Sequence, residues 1–257
     1  MAQQNVWPSR WFDLPITVFD LETTGFDSRT CQIIEIGMVK FYRGEVEASV
    51  DWLIDPECTI PEEVVKLTNI HPSDVEGKPK FREIAKEVLS WFDGRGIVAY
   101  NINFDRTFLK AKLEAIGLEW PKDNPWIDPF LFAQHFHANR GNKLIQVAEW
   151  LGVSLEGAHR ACNDAEATGR VYYALLEKFS KELPAGLNEL LEVQSALLRE
   201  HNQRRSFWQM GNSGGDGALE EDSRHTLSSA YVYTKEETDP LRALYRLVPT
   251  KKRDENR

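Results

Sequence analysis

The chain has 257 residues, 42% of them hydrophobic and 28% charged, a composition that suits one α/β domain with an extension or two small domains. Its net charge of −9 argues against a broad basic face for nucleic acid, although it leaves room for a local one. The three scattered cysteines argue against a disulfide framework. Since neither a membrane-length apolar run nor a signal-peptide pattern occurs, we expect a cytoplasmic protein with no membrane partner.

The first predicted element is a buried strand that ends in two acids. Residues 16–25 read ITVFDLETTG, which is β-branched and apolar up to Asp20. Side chains two apart on a strand point to the same face, so Asp20 and Glu22 are expected to project together. Two like charges side by side in a buried place are unfavourable unless a cation lies between them, and a divalent ion accepts oxygen ligands. The alternative is a strand that simply ends in a polar loop.

The elements that follow predict an α/β fold. Residues 33–41 and 46–54 flank a turn at Gly44, and with the first strand they indicate an antiparallel meander. Helices and short strands then alternate, with helices predicted at residues 61–65, 81–92, 104–116, 129–137, 144–151 and 161–181 and strands at 97–100 and 126–128. This order predicts a mixed sheet of about five strands flanked by helices. Sites in open α/β sheets lie at the carboxyl ends of strands, where Asp20 and Glu22 fall.

A second polar cluster follows the strand at residues 97–100. Asp105 has a simple interpretation as an acid favoured at a helix N-terminus, and Asn101 as a helix cap. Because this strand is expected in the same sheet as Asp20, its end would bring Asp105 to the same rim. Phe104 would place a ring there on which a base could stack, although an ordinary core phenylalanine is the alternative.

A third cluster opens the last predicted helix of the α/β region. His159 lies in the preceding loop and Asp164 in the first turns. The unperturbed pKa of histidine suits proton transfer near neutrality, whereas the simpler interpretation is a surface histidine and an acid that complements the helix dipole. Together the three clusters supply four acids and one histidine, with no lysine or cysteine as a ligand. Such oxygen-rich sites favour Mg²⁺ or Mn²⁺ over zinc.

Three segments in this order resemble the exonuclease motifs of the DnaQ-like 3′–5′ exonucleases, a group within the ribonuclease H-like fold. They are FDLETTG at residues 19–25, Asn101-x-x-Phe104-Asp105 and His159-Arg160-Ala161-x-x-Asp164. The resemblance covers about residues 14–180. A related subgroup has a tyrosine four residues before the last acid, where this chain has Arg160, so His159 indicates the histidine (DEDDh) subgroup.

The resemblance implies a metal-dependent 3′–5′ exonuclease that releases nucleoside 5′-monophosphates from DNA ends by two-metal-ion hydrolysis, in proofreading or repair. Asp20, Glu22 and Asp164 would hold one Mg²⁺ or Mn²⁺ ion, and Asp20 would be shared with a second ion supported by Asp105. His159 would take the proton of the attacking water.

The resemblance also implies a binding place for the terminal nucleotide, against Phe104 and the backbone at Thr23, with Thr68 nearby. Because the motifs recognise phosphate and metal rather than the 2′-hydroxyl, an RNA-trimming exonuclease of the same fold is an alternative. A non-catalytic nucleic-acid-binding scaffold is another, although none of the four acids is missing. The expected partners are nucleic acid 3′ ends, with a polymerase or a sliding clamp as further candidates.

We divide the chain into an exonuclease domain at residues 1–180 and an extension at 181–257. The extension is expected to contain a helix at 187–205, a Gly-rich linker at 211–217, a small packed element at 231–248 and a charged tail. It could serve as a polymerase-docking segment, a dimerisation arm or a lid. Residues 194–198 faintly resemble a clamp-binding peptide but lie in a helical pattern. Asp128 is predicted to be a structural N-cap, and His135 and His137 to be non-ligands.

Overall fold

A computed structural model describes residues 7–137, 141–155 and 157–212, with side chains up to residue 204. The predicted linker beyond residue 212, the small packed element and the charged tail lie outside these ranges. None of the helices within them combines the length and the apolar character needed to cross a membrane.

The strands form one mixed sheet, as predicted. Its order is β3-β2-β1-β4-β5, and the strands are β1 (Ile16–Thr23), β2 (Ile33–Tyr42), β3 (Glu45–Leu53), β4 (Gly96–Val98) and β5 (Trp126–Ile127). The first three strands pair antiparallel, whereas β4 runs parallel to β1 and β5 parallel to β4. The carboxyl ends of β1, β4 and β5 therefore lie at the same end of the sheet, and the acids of the sequence motifs lie near that end.

The predicted helices are present within about three residues of their expected bounds, except that the last one runs to Asn212 instead of residue 205 and includes the first two residues of the predicted linker. They are α1 (Glu62–Thr68), α2 (Pro72–Val75), α3 (Phe81–Ser90), α4 (Asn103–Ala115), α5 (Pro129–Phe136), α6 (Leu144–Leu151), α7 (Ala161–Lys178) and α8 (Leu187–Asn212). The sequence did not predict α2 or a 3₁₀ turn at Trp11–Asp13, because elements of four residues or fewer are too short to show a helical period.

Apolar side chains fill both faces of the sheet. Helices α3 and α4 cover one face, and α5, α6, α7 and α8 cover the other. Leu187 and Leu190 of α8 belong to the same core cluster as α7, so this part of the predicted extension packs on the sheet domain. The division of the chain at residue 180 stays a prediction.

Two glycines let α7 approach the sheet closely. A Cβ atom at Gly37 of β2 would lie 2.0 Å from the backbone nitrogen of Cys162, at the start of α7. A Cβ atom at Gly169 of α7 would lie 2.3 Å from the Phe41 ring. The first contact matters for the site, because Gly37 is the direct partner of Asp20 across the β1–β2 pair.

Candidate active site

The carboxyl half of β1 supplies the first two acids. Glu22 is buried and Asp20 is half-buried. Burial raises the pKa of Asp20 well above its ordinary value, and the negative charges of Asp105, Asp164 and Glu22 raise it further. A cluster of this kind favours protons or cations between its carboxylates.

Helix α4 brings Asp105 to the same place. This residue lies in the first turn of the helix, and its Oδ1 accepts a hydrogen bond from the Leu21 backbone N–H at 3.2 Å. Leu21 separates Asp20 from Glu22 in the chain, so Asp105 lies directly beside the pair. Burial raises the pKa of Asp105 to about 8, although backbone N–H groups that donate to it oppose the rise.

Helix α7 brings Asp164 and the loop with His159. The backbone N–H of His159 donates to Asp164 Oδ2 at 3.1 Å, and His159 has a left-handed backbone with φ of 67°. Burial raises the pKa of Asp164, and His159 opposes the rise. Asp164 Oδ1 is buried and has no hydrogen-bond partner in the part of the chain that the structure describes.

The arrangement fits a divalent metal ion. Ligand atoms of Glu22, His159 and Asp164 all lie within 4.8 Å of one another, which is the spacing of groups that share one ion. A cation there would satisfy the orphaned Asp164 oxygen and reduce the repulsion that raises the pKa of Asp20. The predicted acids and His159 are thus brought together, while their individual roles stay predictions. The sequence did not predict that the His159 ring would lie within ligand distance of Glu22 and Asp164.

The predicted nucleotide-binding residues differ in how accessible they are. Phe104 is half-buried and meets the ring of Phe26 edge-to-face at 6.5 Å, and Phe26 is 49% exposed. Thr23 is buried, and its hydroxyl donates to the Gly25 carbonyl at 2.7 Å. Phe104, which precedes Asp105 in the chain, and Phe26 thus form a partly exposed apolar pair.

Thr68 lies deeper than a contact residue would. Its hydroxyl donates to the Val64 carbonyl at 2.9 Å and accepts from the Ile70 N–H at 3.1 Å, and the residue is buried. The side chain stabilises the end of α1, so the predicted contact of Thr68 with a nucleotide gains no support from its surroundings.

Sequence reasoning missed Glu35, which anchors the start of α7. Glu35 lies on β2 opposite Glu22 and is fully buried. Arg160 donates to its Oε1 from Nε at 2.8 Å, and the Ala161 N–H donates to its Oε2 at 2.9 Å. These bonds hold the chain between His159 and Asp164. A glutamate within the apolar run IIEIGMV was the available signal, since a buried carboxylate needs a partner.

Asp128 is an N-cap, as predicted, and it also supports the second motif. Its side chain accepts from the backbone N–H of Phe130 at 3.0 Å, Asn101 at 2.9 Å and Ile102 at 3.2 Å. Burial raises its pKa to about 7. The additional contacts could not be found from the sequence, because Asp128 and Asn101 are 27 residues apart.

Two minor predictions concern residues near this network. His137, which was predicted not to be a ligand, is buried, with Nδ1 at 2.8 Å from the Gly141 carbonyl and its ring stacked on Trp150. Gln194 of α8 is buried and forms hydrogen bonds with the backbone of Trp126 in β5 and of Asp128 directly after it. This burial argues against the interpretation of residues 194–198 as an exposed clamp-binding peptide.

Known proteins are similar to this chain in sequence or in fold. The Exonuclease (RNase_T) family matches residues 17–172. A DNA polymerase III PolC-type protein of Clostridium perfringens is 36% identical over 173 residues, which are 67% of this chain and 12% of that protein. This chain therefore spans about an eighth of the length of that relative.

A shorter relative and a solved structure agree with this match. The DNA polymerase III subunit epsilon of Treponema pallidum is 32% identical over 169 residues, which are 65% of this chain and 78% of that subunit. Exonuclease X, solved in complex with 5′ overhanging duplex DNA, has the same fold at a TM-score of 0.57 and 18% identity, over 70% of this chain and 99% of that one. With more than half of its length matched to the family, this chain belongs to the Exonuclease family, among its DnaQ-like members.

Proposed function

We propose that this chain is a metal-dependent 3′–5′ exonuclease that removes nucleoside 5′-monophosphates from DNA ends. The observation that carries the proposal is the convergence of Glu22, His159 and Asp164 within ligand distance of one another. Asp105 joins this group through the Leu21 N–H. Burial and the neighbouring acids raise the pKa of Asp20, and a bound cation would relieve the repulsion among these acids.

In this proposal Asp20, Glu22, Asp105 and Asp164 hold two Mg²⁺ or Mn²⁺ ions. When bound, the ions supply Lewis-acid stabilisation of the charge that develops on the phosphate. His159 accepts the proton of the attacking water on its imidazole, the side chain that most often serves as a general base. A nitrogen of its ring lies within 4.8 Å of carboxylate oxygens of Glu22 and Asp164.

The terminal nucleotide is proposed to bind beside Phe104. Its half-buried ring, supported from the side by Phe26, offers a face on which any base can stack. Stacking is tolerant of base identity, which suits an enzyme that removes whichever nucleotide is terminal. Thr23 would contribute only its backbone, because its hydroxyl is already bonded to Gly25.

DNA at a replication fork is the proposed substrate, with proofreading as the role. This rests on relatives that carry the names DNA polymerase III PolC-type and DNA polymerase III subunit epsilon. A polymerase is correspondingly the proposed partner. The PolC-type relatives contain much more chain than this one, so the present sequence would correspond to their exonuclease part.

The test is a degradation assay on 5′-labelled single-stranded DNA, matched and 3′-mismatched duplex DNA, and short RNA of the same sequence. We expect stepwise shortening from the 3′ end with Mg²⁺ or Mn²⁺, release of nucleoside 5′-monophosphates, and no reaction with a chelator. The Asp20→Asn variant is the control for contaminating nuclease. Binding of the oligonucleotides without cleavage would contradict the proposal, and faster cleavage of RNA would redirect it to the exoribonuclease alternative.

A further inference from the structure

Helix α8 lies beyond residues 17–172, where the family match ends, yet one of its side chains reaches the edge of the sheet. Gln194 is only 2% exposed. Its Oε1 accepts from the Asp128 backbone N–H at 2.7 Å, and its Nε2 donates to the Trp126 carbonyl at 2.9 Å. The amide therefore pairs with the outer edge of β5 as a peptide group of a neighbouring strand would.

The residue held in this way, Asp128, reaches back across the sheet. Its carboxylate accepts from the backbone N–H groups of Asn101 and Ile102, at 2.9 and 3.2 Å, and from Phe130 at 3.0 Å. Asn101 has a left-handed backbone with φ of 60°, a conformation that needs support from its surroundings. Two of these three donors belong to the turn between β4 and α4, so the buried carboxylate fixes that turn against the start of α5.

That turn determines where α4 begins. The helix starts at Asn103, so Phe104 and Asp105 lie within its first turn, directly after Ile102. At the other side Asp105 accepts from the Leu21 N–H of β1. The position of the Asp105 carboxylate thus depends on the turn behind it and on the strand in front of it.

We propose that Gln194 and Asp128 are positioning residues for Asp105 and Phe104, which makes α8 part of the exonuclease site. The inference rests on the proposed function, in that Asp105 is taken as a metal ligand. Apolar contacts of α8, including Leu187 and Leu190, dock the helix on the sheet. The buried amide also fixes the position of α8 along β5, which apolar contacts alone do not, because its two hydrogen bonds form at only one placement of the helix.

The test compares three variants of the whole chain. Gln194→Leu keeps a similar volume and removes both hydrogen bonds. Leu190→Ala, at a fully buried position of the same helix, weakens packing but leaves the amide in place. Ser195→Ala removes a hydroxyl that donates to the Leu191 carbonyl of the same helix, as a control for the substitution of a polar neighbour.

Three measurements are made for each: Mn²⁺ affinity by calorimetry, kcat and KM on single-stranded DNA, and amide hydrogen exchange at Asn101 and Ile102. For Gln194→Leu we expect Mn²⁺ affinity and kcat to fall about 10- to 100-fold, as when an outer-shell partner of a ligand is removed. We expect KM to change less, and exchange at the two amides to become faster. Leu190→Ala is expected to lower the melting temperature with wild-type kcat and Mn²⁺ affinity in the folded protein.

Several outcomes would overturn the inference. One is Gln194→Leu with wild-type affinity, kcat and exchange. Another is Leu190→Ala with the same losses as Gln194→Leu, because the role of Gln194 would then be packing alone. If Gln194→Leu does not fold, Asp128→Asn is measured in its place. This variant keeps one of the two side-chain oxygens, so we expect faster hydrogen exchange at the Ile102 amide and a partial loss of Mn²⁺ affinity. Failure of the proposed function would look different, as a wild-type protein that cleaves nothing with any ion.

Discussion

Asp164 uses its two carboxylate oxygens differently. Oδ2 accepts a hydrogen bond from the His159 backbone N–H at 3.1 Å, whereas Oδ1 is buried and has no such partner among the described residues. A buried oxygen left in this state is unfavourable. Because Glu22 and the His159 ring lie within ligand distance of Asp164, a cation is the natural partner for that oxygen.

Addition of Mn²⁺ or Mg²⁺ should therefore stabilise the protein. At an ion concentration of about 100 times Kd, a single site adds about 2.7 kcal/mol to the free energy of unfolding. Differential scanning calorimetry with and without the ion measures the shift in melting temperature. Asp164→Ala is the control, since it should abolish hydrolysis and the metal-induced shift while the metal-free protein stays folded. A wild-type melting temperature that does not respond to either ion would speak against a metal site here.

Stability of the metal-free protein should fall as the pH rises. Burial raises the pKa of Asp105 to about 8 and that of Asp128 to about 7, whereas an unfolded aspartic acid has a pKa of about 4. Between these values the native state binds more protons than the unfolded state, so the free energy of unfolding decreases with pH. The contribution is complete below about pH 4 and is lost by about pH 8.

Melting temperatures of the chelator-treated protein at about pH 6 and about pH 8 check this sign, with the lower value expected at pH 8. Mn²⁺ should raise the melting temperature more at pH 8 than at pH 6, because the ion competes with protons for the carboxylates. Asp128→Asn removes one of the titrating groups and should flatten the dependence. If the metal-free protein were instead more stable at pH 8 than at pH 6, the pKa values of these acids would not be raised in the native state.

Replacement of His159 by glutamine should show whether its ring acts as a general base or as a metal ligand. A general base contributes typically about 10²- to 10⁴-fold to the rate, so we expect a loss of that size in kcat. If the ring only accepts a proton, Mn²⁺ affinity measured by calorimetry should stay within about threefold of wild type. A loss of affinity as large as that of Asp164→Ala would show that His159 is a ligand, which its distance from Glu22 and Asp164 also permits.

We expect Gly37→Ala to move Asp164 on α7 away from the acids on β1. The new methyl group would lie 2.0 Å from the Cys162 nitrogen, so the start of α7 must move away from β2 and carry Asp164 with it. Overpacking of this kind costs about 1–3 kcal/mol of stability, and we expect a loss of Mn²⁺ affinity in addition.

Gly169→Ala is the matched control, because its methyl group would meet the Phe41 ring at 2.3 Å on the same helix, about 7.5 Å beyond Asp164 and away from the helix start. Both variants should melt earlier, as seen by circular dichroism, while only Gly37→Ala should bind Mn²⁺ weakly and cleave slowly. Equal Mn²⁺ affinity in the two variants would show that the β2–α7 contact does not set the geometry of the site.

The sequence by itself determined the sheet, most of the helices and the identity of the acids. Apolar periodicity and turn residues are local properties of the chain, so strands such as Ile16–Thr23 and helices such as Leu144–Leu151 were predicted close to their observed bounds. The acids could be singled out because Asp20 lies near the end of a predicted strand, Asp105 and Asp164 lie near the starts of predicted helices, and the motifs that contain them resemble those of a known family.

Only the tertiary structure decided what holds these acids in place. Glu35 meets Arg160 across 125 residues, and Gln194 meets Asp128 across 66, and no local pattern encodes such pairs. The enclosure of Thr68 was equally invisible, since a threonine in a loop motif gives no sign of the carbonyl to which its hydroxyl bonds. Backbone preferences act over a few residues, whereas burial and hydrogen-bond partners are fixed only when distant segments pack together.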